Sequence, residues 1–184
     1  EDMGDAPGQP EVVSVLGGVV RVYTLGARLV FERVTGESTG GPPTIADYDG
    51  DGVPEIGAAF GGANLVVDPA DDITLWSVQS QDFSSARTGS SVFDFNGDGR
   101  AEVVYADECY MRVYDGPTGD VLFSQPRFSS TWNENPIVAD VDGDSAAEVV
   151  VGATGACRPD YCPSHDPIFR GLRCETATNC PGGA

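Results

Sequence analysis

Asp47-Tyr-Asp-Gly-Asp-Gly-Val-Pro-Glu55 places carboxylates at positions 1, 3, 5 and 9 of a nine-residue loop. Alternate residues of a tight loop point inward, so Asp47, Asp49 and Asp51 converge on one point, with the backbone freedom for the curl supplied by Gly50 and Gly52. The carbonyl of Val53 falls at position 7 and Glu55 closes the shell. Six or so oxygens at roughly 2.3–2.6 Å suit calcium better than the smaller, stricter magnesium. Without a cation, carboxylates about 4 Å apart repel by about 1 kcal/mol per pair in water and about 4 at an effective dielectric of 20.

The stretch recurs. Asp94-Phe-Asn-Gly-Asp-Gly-Arg-Ala-Glu102 and Asp140-Val-Asp-Gly-Asp-Ser-Ala-Ala-Glu148 keep the same positions, with Asn96 for one Asp and Ser145 for the second glycine. A metal-free reading competes, because Asp-Gly is also the commonest hairpin signal. An EF-hand does not fit, since its loop has twelve residues, ends in a bidentate Glu and lies between helices. Here apolar runs flank each loop: Thr44 to Ala46 and Ile56 to Phe60, Ser91 to Phe93 and Val103 to Ala106, Pro136 to Ala139 and Val149 to Val151. A cation would pin the connection between two neighbouring strands.

These loops, their flanking strands and a spacing of 47 then 46 residues resemble the FG-GAP/VCBS-type repeats of calcium-binding β-propellers, the class that includes the integrin alpha-chain head. The likeness covers roughly residues 10 to 153. It implies about three Ca2+ ions, held by Asp47, Asp49, Asp51, Val53 and Glu55; by Asp94, Asn96, Asp98, Arg100 and Glu102; and by Asp140, Asp142, Asp144, Ala146 and Glu148. Val53, Arg100 and Ala146 act through their carbonyls. Ser145 departs from the pattern where glycine is usual.

Aligning Glu11 with Glu55 gives Glu-to-Glu spacings of 44, 47 and 46 and reveals a worn first copy, in which Met3, Asp5 and Pro7 stand at the three Asp positions. Between the loops, β-branched and aromatic runs alternate with glycine turns, as in an antiparallel meander. The expected fold class is therefore all-β, with β-propeller blades of four-stranded antiparallel sheets, two complete and two partial, followed by an irregular Cys-rich tail. The units are 8–43, 44–90, 91–135 and 136–153, with a disulfide tail over 154–184. Closed propellers usually need four to eight blades, so the chain reads as a piece of a larger propeller. The alternatives are an outer strand from Ile168-Phe169-Arg170 or edge-to-edge pairing of copies. A first residue Glu1, without an initiating Met, reads as a processed or excised segment.

The formal charge is −19 over 184 residues, and eleven of the 29 acids sit in the three loops. So acidic a surface, with ten scattered basic residues, is poorly matched to nucleic acid or to anionic membranes. No apolar run reaches the 18 or so residues a spanning helix needs, so direct membrane insertion is not expected. Four of the five cysteines, Cys157, Cys162, Cys174 and Cys180, crowd the tail, as in a disulfide framework of an oxidising compartment, with Cys109 left over. A zinc cluster is disfavoured, because no C-x-x-C pair is present and His165 is the only histidine.

Catalytic chemistry is thin. Ser164-His165-Asp166 is a run of neighbours and not a relay; Asp71-Asp72 and Asp107-Glu108 read as solvated turns. The glycines at 36–41 and 61–62 lack phosphate-loop spacing. Asp98-Gly-Arg100 looks like an adhesion motif but is absorbed by the second loop, and Trp132, in a polar loop, is the aromatic expected to be exposed. The sequence therefore predicts a secreted or cell-surface, calcium-stabilised module that binds a protein or glycan ligand, or further copies of itself, and is not an enzyme. An accessory domain of a larger secreted enzyme and a self-assembling surface or filament component are the alternatives.

Overall fold

A computed structural model describes residues 8–129 and 134–153. Trp132, His165, the Ile168 segment and the four tail cysteines lie outside them, as do Met3, Asp5 and Pro7. The described residues form thirteen strands and no helix. β1 (Glu11–Leu16), β2 (Val19–Thr24) and β3 (Leu29–Val34) make a three-stranded sheet. β4 (Thr44–Ala46), β5 (Glu55–Ala59), β6 (Ala63–Asp68) and β7 (Ile73–Gln79) make a four-stranded one. β8 (Ser90–Phe93), β9 (Glu102–Ala106), β10 (Tyr110–Tyr114) and β11 (Val121–Pro126) make another, and β12 (Ile137–Ala139) pairs with β13 (Glu148–Val150). Every pairing is antiparallel and between consecutive strands. The expected meanders are thus present as sheets of three, four, four and two strands. Among the described residues they do not close into a ring.

The sheets pack face to face because side chains alternate along each strand. Val20, Val22 and Phe31 of the first sheet bury against Ile56, Ala58, Phe60, Leu65 and Val67 of the second. The opposite face of the second sheet, with Tyr48, Ala59, Val66 and Trp76, meets Val103, Tyr105 and Tyr114 of the third. β5 and β9 are consequently buried along their whole length. Small residues make that possible: a Cβ on Gly57 would stand 2.5 Å from the Tyr48 hydroxyl and 2.6 Å from Thr44 Oγ1. Burying each large apolar side chain is worth about 1.5–3 kcal/mol, against about 0–1 for exposed ion pairs such as Arg21–Glu32 and Arg33–Asp72. Packing between sheets therefore dominates. Trp76, Tyr105, Tyr110 and Tyr114 are core residues.

One expectation fails. Asp107 and Glu108 are buried at the β9–β10 turn and not solvated. Asp107 accepts from Arg112 Nη1 at 2.6 Å, with both side chains fully buried. It also accepts from the N–H groups of Cys109 and Tyr110 at 2.9 and 2.8 Å and of Gln81 at 3.2 Å. Glu108 accepts from the Ser84 N–H. Two carboxylates thereby tie the third sheet to the linker leaving the second. Asp72 is exposed and pairs with Arg33.

Candidate metal centre

Each acidic loop spans a hairpin whose register is set by its last carboxylate. Glu55 pairs with Ala46, Glu102 with Phe93 and Glu148 with Ala139, so the ninth loop residue opens the second strand of each pair. The loop must reverse within the intervening residues. It does so through left-handed positions at Gly50 and Gly52, Gly97 and Gly99, and Gly143 and Ser145, with φ between 73° and 88°. Ser145, at φ 73°, carries a side chain where its counterparts carry none.

The first carboxylate of each loop is its internal scaffold. Asp47 accepts the Gly50 and Gly52 N–H groups at 2.7 and 3.0 Å, Asp94 those of Gly97 and Gly99 at 2.6 and 2.9 Å, and Asp140 those of Gly143 and Ser145 at 2.6 and 2.9 Å. These amides hold Asp140 below the usual carboxylate range. The carboxylates at the fifth position, Asp51, Asp98 and Asp144, each accept the N–H two residues on, from Val53, Arg100 and Ala146. The glutamate reaches back to the second position: Glu55 accepts from Tyr48 N–H at 2.7 Å, Glu102 from Phe95 at 2.7 Å and Glu148 from Val141 at 2.9 Å. That closing bond was not foreseen, although the fixed offset of seven residues carries its signal.

The ligand oxygens of Asp47, Asp49, Asp51 and Glu55 all lie within 4.8 Å of one another, as do those of Asp140, Asp142 and Glu148. Asp144 stands outside that second group. Asp94, Asp98 and Glu102 do not gather so closely. Arg100 grips Asp98 with Nη2 at 2.8 Å and holds its carboxyl below the usual range. Glu55 is 1% exposed, and its Oε1 is buried with no hydrogen-bond partner. Burial pushes its pKa up to about 7, the Tyr48 N–H pulling the other way and Asp49 and Asp47 adding to the rise.

A buried carboxylate oxygen facing three further carboxylates is costly unless a cation joins them. An all-oxygen donor set fits a hard cation such as calcium. Acidic clusters of this kind could hold a metal ion, and a bound divalent ion would offset half of the four-carboxylate charge. Residues 94–151 match the model of the FG-GAP-like repeat. This FG-GAP-like stretch starts on the first carboxylate of the second loop and ends just past β13, so it contains the second and third loops and strands β9 to β13, but not β8.

Among solved structures, the chain is similar to the V. cholerae biofilm matrix protein Bap1, at 28% identity with a TM-score of 0.53. The likeness covers 74% of this chain and 22% of that one; the chain thus spans about a fifth of the Bap1 length. Curated protein sequences give no match. Among the described residues, no helix is long and apolar enough to cross a membrane.

Proposed function

We propose that the chain is an extracellular, calcium-stabilised stretch of β-propeller that binds a protein or glycan ligand, or copies of itself, and has no catalytic role. The observation that carries this reading is the convergence of Asp47, Asp49, Asp51 and Glu55 around a buried, unpartnered Glu55 Oε1. About three calcium ions would be held, one per loop, with the carbonyls of Val53, Arg100 and Ala146 completing the shells. Ions at these positions fix the bends between inner strands and so hold successive blades at a constant spacing. In this reading the blade units are 8–43, 44–90, 91–135 and 136–153.

The ends of the row support a larger ring. Val12 and Leu16 take the register positions of Ile56 and Phe60, which the second sheet buries against the first. Yet Val12 and Leu16 are 49% and 72% exposed. A sheet face built like an interior one needs another sheet upon it. Ile137 and Val150, register partners in the last pair, are also exposed. A continuing propeller or an assembly of copies would cover both faces, and the share of Bap1 that is matched favours membership of a longer protein.

Extracellular placement draws on the biofilm-matrix relative. A tail framework formed by Cys157, Cys162, Cys174 and Cys180 belongs to the same reading. The test is a glycan and protein-ligand array probed with the chain in calcium and in chelator. Retention that requires calcium is expected, and no calcium-dependent retention on any surface would defeat the binding role.

A further inference from the structure

We propose that the second acidic loop supplies its own counter-groups, Asn96 and Arg100, and is the weakest of the three cation sites. This rests on the reading that the loops bind calcium and concerns how they differ. The contrast lies in the oxygens a cation would need. In the first loop, Glu55 Oε1 has no partner and Asp51 engages Oδ1 with the Val53 N–H. In the second loop the matching oxygens are taken. Glu102 Oε1 accepts from Asn96 Nδ2 at 3.1 Å, and Asp98 Oδ2 accepts from Arg100 Nη2 at 2.8 Å and Nε at 3.2 Å.

Charge runs the same way. The first and third loops each carry four carboxylates, whereas the second carries three and one guanidinium, so a divalent ion meets a net −4 in two loops and −2 in the other. Ligand charge count and rigidity set oxygen-site affinity over several orders of magnitude. To enter the second loop, an ion must displace Arg100 from Asp98 and turn the Asn96 amide so that its carbonyl, not its NH2, faces inward.

Arg100 is not free to move alone. The Arg100 stem lies over Gly50 of the first loop, its Cγ 2.9 Å from where a Cβ would stand. The Ala101 N–H donates to the Asp47 carbonyl at 2.9 Å. Arg100 is therefore a specificity-determining residue that keeps the second loop closed and braces it against the first.

The test is an ion count by native mass spectrometry along a calcium titration of the full chain. The wild type should take two ions tightly and a third only at a calcium level about tenfold higher or more. The Asn96→Asp/Arg100→Ala variant should take three ions in one tight class. Three equivalent ions in the wild type, or an unchanged pattern in the variant, would overturn the proposal. Should that variant fail to fold, the reciprocal change Asp49→Asn/Val53→Arg in the first loop should cost one tight ion, and retention of both would overturn it equally. A wild-type chain that takes no ion at any level defeats the calcium reading underneath, a distinct result.

Discussion

The Ala101 N–H donates to the carbonyl oxygen of Asp47 at 2.9 Å, joining the end of the second acidic loop to the start of the first. The bond is one of several by which a loop of one sheet is seated on the next. Gly116 sits in the same seam, where its carbonyl accepts from Trp76 Nε1 at 2.6 Å. Acidic loops and inter-sheet contacts are thus one structure, which is how order at a loop can reach the spacing between sheets.

A Cβ at Gly116 would meet the carbonyl oxygens of both Ala101 and Tyr48. Because both obstacles are backbone, the seam must open. Gly116→Ala should cost about 1–3 kcal/mol, read as a lower urea midpoint in calcium. A midpoint within error of wild type would show that the seam is loose.

Ser145 holds φ 73° where its counterparts are Gly52 and Gly99. A left-handed L-residue costs about 1–2 kcal/mol, and glycine's greater freedom in the unfolded chain offsets part of the relief. Ser145→Gly should therefore raise stability by up to about 1 kcal/mol in urea titration. A loss would mean that the serine side chain contributes something the backbone angle does not reveal.

Arg112 and Asp107 form a fully buried pair, and truncating one partner leaves the other charge uncompensated. Arg112→Met should cost about 3–5 kcal/mol, a large part of a domain's usual 5–15. Chemical denaturation of the variant measures it, and a cost below about 1 kcal/mol would contradict the burial.

The pH response should reverse with calcium. Glu55 has its pKa raised by burial from 4.5 to about 7. Between those values the folded, chelated protein binds more protons than the unfolded chain, so its stability falls as pH rises through that window. Glu102 is raised in the same direction. A calcium-bound loop requires the ionised carboxylates, so the gain from calcium grows over the same range. Melting temperatures at pH 5 and pH 8, in chelator and in calcium, test this; parallel profiles would count against Glu55 as a ligand.

The sheets were legible because their signals are local. β-branched alternation marks the strands, and the glutamate spacing fixes where each second strand begins, as Glu55, Glu102 and Glu148 do. The acidic loops were legible because their carboxylates recur at alternate positions within nine residues. What escaped was long-range or relational. Asp107 and Glu108 read as a solvated turn because Gln81 and Ser84, whose amides they accept, arrive from the preceding linker. Asn96 and Ser145 marked the second and third loops as variants, but only side-chain placement shows Arg100 turned onto Asp98 and Asn96 onto Glu102.

Scanning calorimetry of the full chain in millimolar calcium and again in excess chelator tests most directly whether cations hold this row of sheets together. Each site held at tenfold above its dissociation constant adds roughly 1.4 kcal/mol, and a chain of this length shifts by about 2–4 °C per kcal/mol. Calcium should accordingly raise the melting temperature by on the order of ten degrees. Superimposable melts in the two buffers would contradict the account.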